Sequence, residues 1–190
     1  MSPERRDEFG RLFLARGFVR RRLGLQWARL RHRRVSFGPR CDVRAGTRLR
    51  VAKGALARFG AGCVLDRGFD LECRGTIEVG DRTVFGHHCT VAAEQSITIG
   101  RDCLLAEMVS VRDHDHAFDD PDRAVLDQGR STGPVSIGDN VWLGAKVTVT
   151  KGTTIGSDVV VGAHAVVTTD LPDRCVAAGI PARVVRQLDG

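Results

Sequence analysis

The sequence predicts an all-β solenoid, and three observations support this fold class. Aliphatic residues recur every sixth position without interruption, at Ile137, Leu143, Val149, Ile155, Val161 and Val167. Gly occurs 22 times among 190 residues, more than usual, which indicates many tight turns. The six-residue pattern is broken once, by residues 112–134, which fit no repeat.

The six-residue period predicts a short strand followed by a tight turn, repeated along the chain. It matches neither the helical period of about 3.6 nor the simple alternation of one strand. Three such units would form a triangular coil of roughly 18 residues, stacked on the next coil at about 4.8 Å by parallel pairing. We expect the aliphatic residue to fill the interior, and Gly or Asn at the corners to adopt positive φ. Residues 35–172, with the interruption at 112–134 left out, would then form roughly six to seven coils.

Shorter runs of the same pattern precede the long one. They comprise Phe59, Leu65, Leu71 and Ile77; Val79, Phe85 and Val91; and Ile99, Leu105 and Val111. Slips of two residues, from Ile77 to Val79 and from Ile97 to Ile99, predict looser corners. The cysteines form no C-x-x-C pair, so zinc-finger and thioredoxin motifs are absent. Three of them (Cys63, Cys89 and Cys103) fall where small core residues stand elsewhere in the repeat, so we expect structural, buried thiols.

The basic excess lies at the N-terminus. Residues 1–34 hold 11 Arg and three acidic residues, while the rest of the chain is slightly acidic. Apolar residues at three- and four-residue spacing predict an amphipathic helix there. It would either pack on its own domain or lie on an anionic membrane surface. We expect no nucleic-acid binding, since no such motif is present.

Targeting signals are not recognisable in the sequence. No apolar stretch is long enough for a transmembrane helix, and the N-terminus lacks the apolar region of a secretory signal. The sequence therefore predicts a cytoplasmic protein, at the inner face of the membrane if residues 1–34 bind lipid.

The interruption at residues 112–134 is the candidate functional loop. It holds two His and six Asp and begins Asp113-His114-Asp115-His116. Long loops inside compact domains are usually functional or disordered. Imidazole exchanges protons near neutral pH, and Asp113 or Asp115 could fix its tautomer. The alternative is a surface loop that covers exposed strand edges.

These features together resemble the hexapeptide-repeat acyltransferases. The resemblance covers residues 75–188 and is carried by the repeat, the histidine-bearing loop and the run IGDNVWLGAKVTVTKGTTIGSDVVVGAHAVVTTDLPDRCVAAGIPARVVRQL. The branch that it resembles contains the maltose, galactoside and nodulation-factor O-acetyltransferases and the surface-polysaccharide acetyltransferases. The resemblance implies a left-handed parallel β-helix over residues 35–172, with a C-terminal tail, 173–190, packed on it. It also implies a homotrimer that binds acetyl-CoA between neighbouring subunits.

The resemblance also implies roles for individual residues. A loop histidine would be the general base, with His114 and His116 as the two candidates; His114 matches the family position better. Acetyl-CoA would be bound by residues of the C-terminal half: Trp142, Ala145, Ala163, Thr168, Thr169, Arg183 and Arg186. The acceptor would be held by His87, His88, Glu94 and Asp113.

The predicted activity is transfer of an acetyl group from acetyl-CoA to a hydroxyl of a sugar, glycan or glycolipid. N-acetylation of an amino sugar remains an alternative. So does a γ-type carbonic anhydrase, which would hold zinc with His87, His88, His114 and His116, and so does a non-catalytic β-helix scaffold. The long loop and the Gly-Ile-Pro-Ala-Arg tail favour the acyltransferase, so we expect no metal.

Overall fold

The computed structural model of the protein describes residues 34–188 together with Gln26. Within this part the strands, numbered in chain order, form three sheets and one hairpin. The three sheets, A, B and C, are the faces of a triangular prism. Sheet A contains β1 (Val35–Phe37), β4 (Leu56–Phe59), β7 (Thr76–Val79), β10 (Ser96–Ile99), β15 (Val135–Ile137) and β18 (Thr154–Ile155). Sheet B contains β2 (Asp42–Val43), β5 (Val64–Leu65), β8 (Val84–Phe85), β11 (Leu104–Leu105), β16 (Trp142–Leu143), β19 (Val160–Val161), β21 (Cys175–Ala178) and β22 (Arg183–Gln187).

Sheet C and the hairpin complete the described elements. Sheet C contains β3 (Arg48–Val51), β6 (Asp70–Cys73), β9 (Thr90–Ala93), β12 (Ser110–Arg112), β17 (Thr148–Val149) and β20 (Val166–Val167). The hairpin consists of β13 (His114–His116) and β14 (Arg130–Thr132), with a 3-10 helix, Val125–Asp127, between them.

The chain visits sheets A, B and C in turn and so forms a three-sided parallel β-helix. This architecture matches the predicted left-handed β-helix and confirms the predicted fold class. Pairing is parallel throughout the three sheets except where β22 runs antiparallel to β21. We name the edges of the prism by the sheets that meet there: AB, BC and CA.

Coil length changes along the helix. Ala57 pairs with Ile77, and Ile77 with Ile97, so these coils have 20 residues. After the hairpin, Ser136 pairs with Thr154, which gives the predicted 18. The additional residues lie at the CA edge, where four-residue strands such as β9 and β10 meet at a bend. The two-residue slips in the sequence therefore mark one corner, as predicted.

The inward positions of the repeat form the core. All six aliphatic residues of the long run, from Ile137 to Val167, are at most 1% exposed. The cysteines at the small-residue position are buried too, which confirms their structural role.

One column of buried donors runs along the AB edge. Each donor bonds the carbonyl of a corner glycine on the neighbouring coil, at 2.8 to 3.1 Å: Cys41 to Gly60, Cys63 to Gly80, Thr83 to Gly100 and Cys103 to Gly138. These cysteines therefore satisfy buried carbonyl groups as well as fill space.

The glycines after the aliphatic positions differ from expectation. Positive φ falls on other corner glycines, such as Gly62 (φ 71°), and on polar turn residues such as Asn140 (φ 55°). At Gly138, an added Cβ would lie 2.8 Å from the backbone of Gly156, and at Gly144, 2.6 Å from Ala163 N. The prediction that Gly or Asn adopts positive φ at the corners is therefore confirmed at those positions, whereas Gly138 and Gly144 are required by the close approach between coils.

Three predictions concern the N-terminal helix, membrane-spanning helices and the C-terminal end of the β-helix. The helix and the membrane contact expected for residues 1–34 lie outside the described residues, which in this segment are Gln26 and Arg34. Among the described residues, no helix is long and apolar enough to cross a bilayer. The coil extends beyond residue 172, because β21 still pairs in parallel with β19, and the following residues fold back as β22.

Candidate active site

The hairpin leaves the β-helix at the CA edge. β12 ends at Arg112, the chain bends at Asp113, and β13 begins at His114. In the hairpin, His114 lies opposite Thr132 and His116 lies opposite Arg130. The two histidines alternate with Asp115 and so share one face of the hairpin.

Asp113 is the buried anchor of this site. Its side chain has 0% exposure, yet it carries a carboxylate. One oxygen accepts the Glu94 N–H at 2.8 Å, and the other accepts the Gln95 N–H at 2.7 Å. Nδ1 of His114 lies 3.0 Å from the same carboxylate. With both oxygens occupied and no exposed surface, Asp113 is placed to hold its neighbours rather than to contact an acceptor as the sequence suggested.

The two candidate bases differ in their surroundings. The His114 side chain is 13% exposed and fixed by Asp113 through Nδ1. An ionised carboxylate can only accept a hydrogen bond, so this contact with an ionised Asp113 favours the tautomer of a neutral ring that carries its proton on Nδ1 and its lone pair on Nε2. His116 is exposed, and no side-chain bond fixes its ring among the described residues. Of these two rings, the one held by a neighbouring side chain is therefore that of His114.

Two ion pairs hold the hairpin against the coils. Arg130 of β14 contacts Glu94 on the preceding coil. On the following side, Asp115 lies 3.7 Å from Nζ of Lys151. Arg130 and Lys151 were not predicted from the sequence, because their contacts depend on the hairpin register, which the repeat does not define.

Glu94 is already engaged by two cations. Besides Arg130, the Arg74 guanidinium approaches the same carboxylate at 3.5 Å, and Arg74 also reaches Glu72 at 3.3 Å. Arg50 extends the row, 3.4 Å from Glu72. Alternating charges therefore run along the CA edge from the first coil to the hairpin.

The predicted acceptor residues His87 and His88 lie at a different edge, BC. His87 is 54% exposed, with Nε2 3.6 Å from Asp66. Burial opposes ionisation of Asp66, but the Arg67 N–H and the Arg44 guanidinium outweigh it. Together with the charges of Arg44 and His87, they hold the pKa of Asp66 below its usual value. The His88 ring lies over Gly68, where an added Cβ would be 2.3 Å from Nδ1.

The residues predicted to bind acetyl-CoA are divided among several surfaces. Ala145 and Ala163 lie on consecutive turns of the BC edge, joined by the bond from His164 N–H to Ala145 O at 2.8 Å. Thr168 and Thr169 follow β20 at the CA edge. On sheet B, Trp142 is 50% exposed, and Arg183 and Arg186 are exposed on β22. One chain therefore does not bring this set together with His114.

The histidines of the carbonic-anhydrase alternative are also divided, since His87 and His88 lie at the BC edge and His114 and His116 at the CA edge. Among residues 34–188, no three His, Cys, Asp or Glu side chains are grouped so that they could hold a metal ion.

Two family models match the β-helix. Residues 134–169 match the model described as bacterial transferase hexapeptide (six repeats), and residues 76–107 match the hexapeptide repeat of succinyl-transferase. The matches lie on either side of the hairpin.

Curated relatives share the same region. A probable acetyltransferase of Mycobacterium tuberculosis is 41% identical over 112 residues, which cover 59% of this chain and 37% of the relative. The galactoside O-acetyltransferase of Escherichia coli is 34% identical over 118 residues, covering 60% of this chain and 55% of the relative. The chain thus spans between about a third and just over half of the length of these two relatives.

A solved structure extends the comparison. The hexapeptide-repeat-containing acetyltransferase of Vibrio cholerae, complexed with acetyl coenzyme A, has a TM-score of 0.63 and 30% identity. The match covers 69% of this chain and 70% of that one. The hexapeptide coils place the chain in a class of transferases, since both family models are named for transferases. On these matches, the chain belongs to the hexapeptide-repeat acyltransferase family.

Proposed function

We propose that the protein transfers an acetyl group from acetyl-CoA to a hydroxyl of a sugar, glycan or glycolipid, with His114 as general base. The observation that carries the proposal is the contact between Asp113 and Nδ1 of His114, which leaves Nε2 to accept a proton. The names of the relatives support the reaction class, because one is a galactoside O-acetyltransferase. The donor is suggested by the Vibrio cholerae structure, which contains acetyl-CoA.

The steps follow from the chemistry of His114. Acetyl-CoA supplies an acetyl thioester. Nε2 of His114 takes the proton of the acceptor hydroxyl as its oxygen bonds to the acetyl carbon. The same nitrogen then returns the proton to the departing sulfur, so that the acetyl ester and the free thiol form and His114 regains its starting state.

The residues assigned to the donor fit its chemistry. Arg183 and Arg186 are exposed cations, and guanidinium groups pair well with phosphates. The side chains of Ala145 and Ala163 are small, so at these positions a narrow chain such as pantetheine could approach the backbone. Thr169 and Thr168 lie at the other edge, so we assign them to the donor bound against a second copy.

The proposed site requires more than one copy of the chain. Within one chain, His114 lies at the CA edge, while Ala145 and Ala163 lie at the BC edge. If two copies pack side by side, the BC edge of one can face the CA edge of the other. We therefore propose a homotrimer whose sites lie between copies, with His87 and His88 reaching the acceptor from the neighbouring copy.

Sheet B offers the surface for this assembly. Its outward positions form one apolar column in strand register: Val64, Val84, Leu104, Trp142, Val160 and Val176. Leu104 is 47% exposed and Trp142 is 50% exposed. The matching columns of sheets A and C are dominated by polar residues, such as Arg58, Glu78 and Thr98 on sheet A. A continuous apolar face of this kind marks an interaction surface.

A thiol-release assay with acetyl-CoA and a panel of acceptors tests the activity. The panel contains neutral sugars, amino sugars and a lipid-linked glycan, and mass spectrometry locates the acetyl group on the product. We expect an ester on a hydroxyl; an amide as the sole product would favour N-acetylation instead. The absence of transfer to every acceptor would contradict the proposed function.

Variants of the two loop histidines test the base. We expect His114→Asn to lower kcat by about 100-fold or more, the range typical of a lost general base. His116→Asn should lower it much less, because that ring is exposed and not held. The reverse order would assign the base to His116, and full activity in both variants would exclude a loop histidine.

A further inference from the structure

The tip of the hairpin is an exposed surface that the proposed reaction does not use. The last backbone bond of the hairpin joins the Ala117 N–H to Gly129 O at 3.1 Å, and residues 118–128 form the tip beyond it. Three apolar side chains of the tip face solvent: Phe118 is 68% exposed, Val125 49% and Leu126 83%. No side chain of the tip is buried. Apolar side chains exposed together in this way are typical of an interaction surface.

Gln128 orders the tip from within. Its Oε1 accepts the Asp120 N–H at 3.0 Å, while its Nε2 donates to Asp120 O and to Arg123 O, both at 2.8 Å. The Arg123 guanidinium in turn donates to Asp127 O. The apolar side chains are therefore presented by an ordered loop, and a partner that binds an ordered loop loses less free energy to the ordering of its target.

The tip is also acidic. Residues 117–129 hold four Asp and one Arg, whereas residues 35–190 as a whole hold 18 basic and 20 acidic residues. The tip thus accounts for the acidic excess of this part of the chain. Three of its carboxylates have neither an ion pair nor a side-chain hydrogen bond within residues 34–188: Asp119, Asp122 and Asp127. A partner that fits this surface carries positive charge beside apolar side chains.

Residues 1–33 have the complementary composition. They hold ten Arg and three acidic residues, and their apolar residues recur at the spacing of an amphipathic helix. Opposite charges draw two such surfaces together, and their apolar side chains then pack. An anionic membrane would repel the acidic tip, so charge favours this segment over lipid as the occupant of the tip.

This segment joins the β-helix at the edge that also carries the hairpin. Strands of sheet A begin at the CA edge, so β1 starts there with Val35, and Arg34 donates from Nη1 to Val51 O at 3.3 Å, at the end of β3 in sheet C. In sheet A, β1 and β15 are four strands apart, which is about 19 Å at about 4.8 Å per strand. A helix of about 13 residues covers that distance at about 1.5 Å per residue. The tip of the same chain is therefore within reach.

We propose that residues 1–33 dock on the hairpin tip of their own chain. Their apolar side chains pack against the three exposed apolar side chains of the tip, and their arginines lie beside its three unpaired aspartates. In this arrangement the segment follows the CA edge and covers the hairpin that carries His114. The basic excess at the N-terminus and the acidic excess in the hairpin are then the two sides of one contact. The contact does not depend on the identity of the acceptor or the donor.

A single thiol at the tip tests the contact in the full-length protein. Ala124 is exposed, and Ala124→Cys leaves the apolar and acidic side chains of the tip unchanged, while the six native thiols are buried. We expect iodoacetamide to alkylate this thiol about tenfold faster when the segment also carries Arg20→Glu, Arg21→Glu and Arg22→Glu, a difference equal to about 1.4 kcal/mol of docking. Val185→Cys on β22, also exposed, is the matched control, and its rate should be the same with either segment.

An exchange of charges tests whether the contact is specific. Asp119→Lys, Asp122→Lys and Asp127→Lys, added to the reversed segment, should restore slow alkylation of the tip thiol, because opposite charges face each other again. The same three lysines beside the native segment should give fast alkylation, since both surfaces are then basic.

Three results would overturn the proposal. Equally fast alkylation with the native and the reversed segment would show that the tip is open to solvent. Equally slow alkylation with both would give the tip another occupant, such as a neighbouring copy, for which the charges of residues 1–33 are irrelevant. Fast alkylation that the charge exchange does not reverse would attribute the effect of the reversed segment to a general disturbance of the protein.

Discussion

Asp113 and His114 are adjacent in the chain, yet Oδ1 of the first lies 3.0 Å from Nδ1 of the second. Side chains of consecutive residues in a straight strand point to opposite faces. The bend at Asp113, between β12 and β13, removes this restriction. The interruption of the β-helix is therefore what creates the contact.

The ion pair between Arg130 and Glu94 should support activity by holding the hairpin in place. We predict that Arg130→Leu lowers kcat by about tenfold, because small displacements of a base are costly. Steady-state thiol release measures the effect. Arg58→Leu is the control, since Arg58 lies 3.8 Å from Glu78 on the outer face of sheet A. Equal losses of kcat in the two variants would show that the Arg130–Glu94 ion pair does not support activity specifically.

Oligomerisation should depend on the apolar column of sheet B. We predict that Leu104→Glu dissociates the proposed trimer, because it places a charge in the middle of that column. Light scattering coupled to size-exclusion chromatography should give three chain masses for wild type and one for the variant. Thr98→Glu, on sheet A of the same coil, should leave the mass at three chains. A trimeric Leu104→Glu protein would place the interface elsewhere.

The six thiols should be unreactive in the folded protein. All are buried, and burial raises the pKa of Cys89 to about 11, so its thiol stays neutral at pH 8. We predict that Ellman's reagent modifies none of the six rapidly in native protein and all six in guanidinium. Rapid native reaction of even one equivalent would contradict the buried arrangement. The same property keeps the protein itself from contributing thiols to the activity assay.

Close approach between coils should make Gly75 intolerant of any side chain. An added Cβ would lie 2.1 Å from Gln95 O, a backbone atom that cannot move freely. We predict that Gly75→Ala lowers the free energy of unfolding by about 3 kcal/mol, the upper range for overpacking. Gly129→Ala should cost about 1 kcal/mol, because that site is open and only its φ of 83° is unfavourable. Denaturant unfolding of both variants checks the order, and a smaller loss at Gly75 would refute it.

The charges along the CA edge should make stability depend on pH. Burial opposes ionisation of Glu72, but the Arg50 and Arg74 guanidinium groups outweigh it and lower the pKa of Glu72. A carboxyl with a lowered pKa stabilises the fold above its unfolded-state pKa of about 4.3. That contribution is lost as the pH falls through the folded-state pKa.

Glu72→Gln measures this contribution. We predict a loss of about 0.5 to 1 kcal/mol at pH 7, typical of partly exposed ion pairs, and a smaller loss at an acidic pH, because protonation of the carboxyl group removes its charge. Unfolding curves at the two pH values give the difference. Glu107→Gln is the control, since Glu107 has no ion pair among the described residues. A loss at Glu72 independent of pH would contradict the electrostatic explanation.

Much of the fold could be predicted from the sequence, because the six-residue repeat reflects which side chains are buried in each coil. An aliphatic residue at every sixth position fixes which side chains enter the core, and the run from Ile137 to Val167 did so correctly. The reason for Gly138 could not be predicted, because it depends on the distance to the next coil and not on local φ. The two-residue slip at Ile97 and Ile99 was visible, and the structure adds that it belongs to the CA edge.

The site was less predictable. In the sequence Asp113-His114-Asp115, either carboxylate could contact the imidazole. The bend at Asp113 brings that carboxylate to His114, whereas Asp115 lies near Lys151. Arg130 gave no signal, because its contact with Glu94 joins residues 36 apart through an irregular loop. His114 and Ala145 do not lie in one site within a single chain, since His114 is at the CA edge of the prism and Ala145 is at the BC edge.

The reversal of β22 has a consequence for assembly at the end of the helix. A parallel β-helix ends in strands whose unpaired N–H and C=O groups invite another chain to add a coil. Here the last strand of sheet B runs antiparallel and carries Arg183 and Arg186. An incoming coil would meet the wrong strand direction and two positive charges, so end-to-end growth into fibres is blocked at the C-terminal end of sheet B.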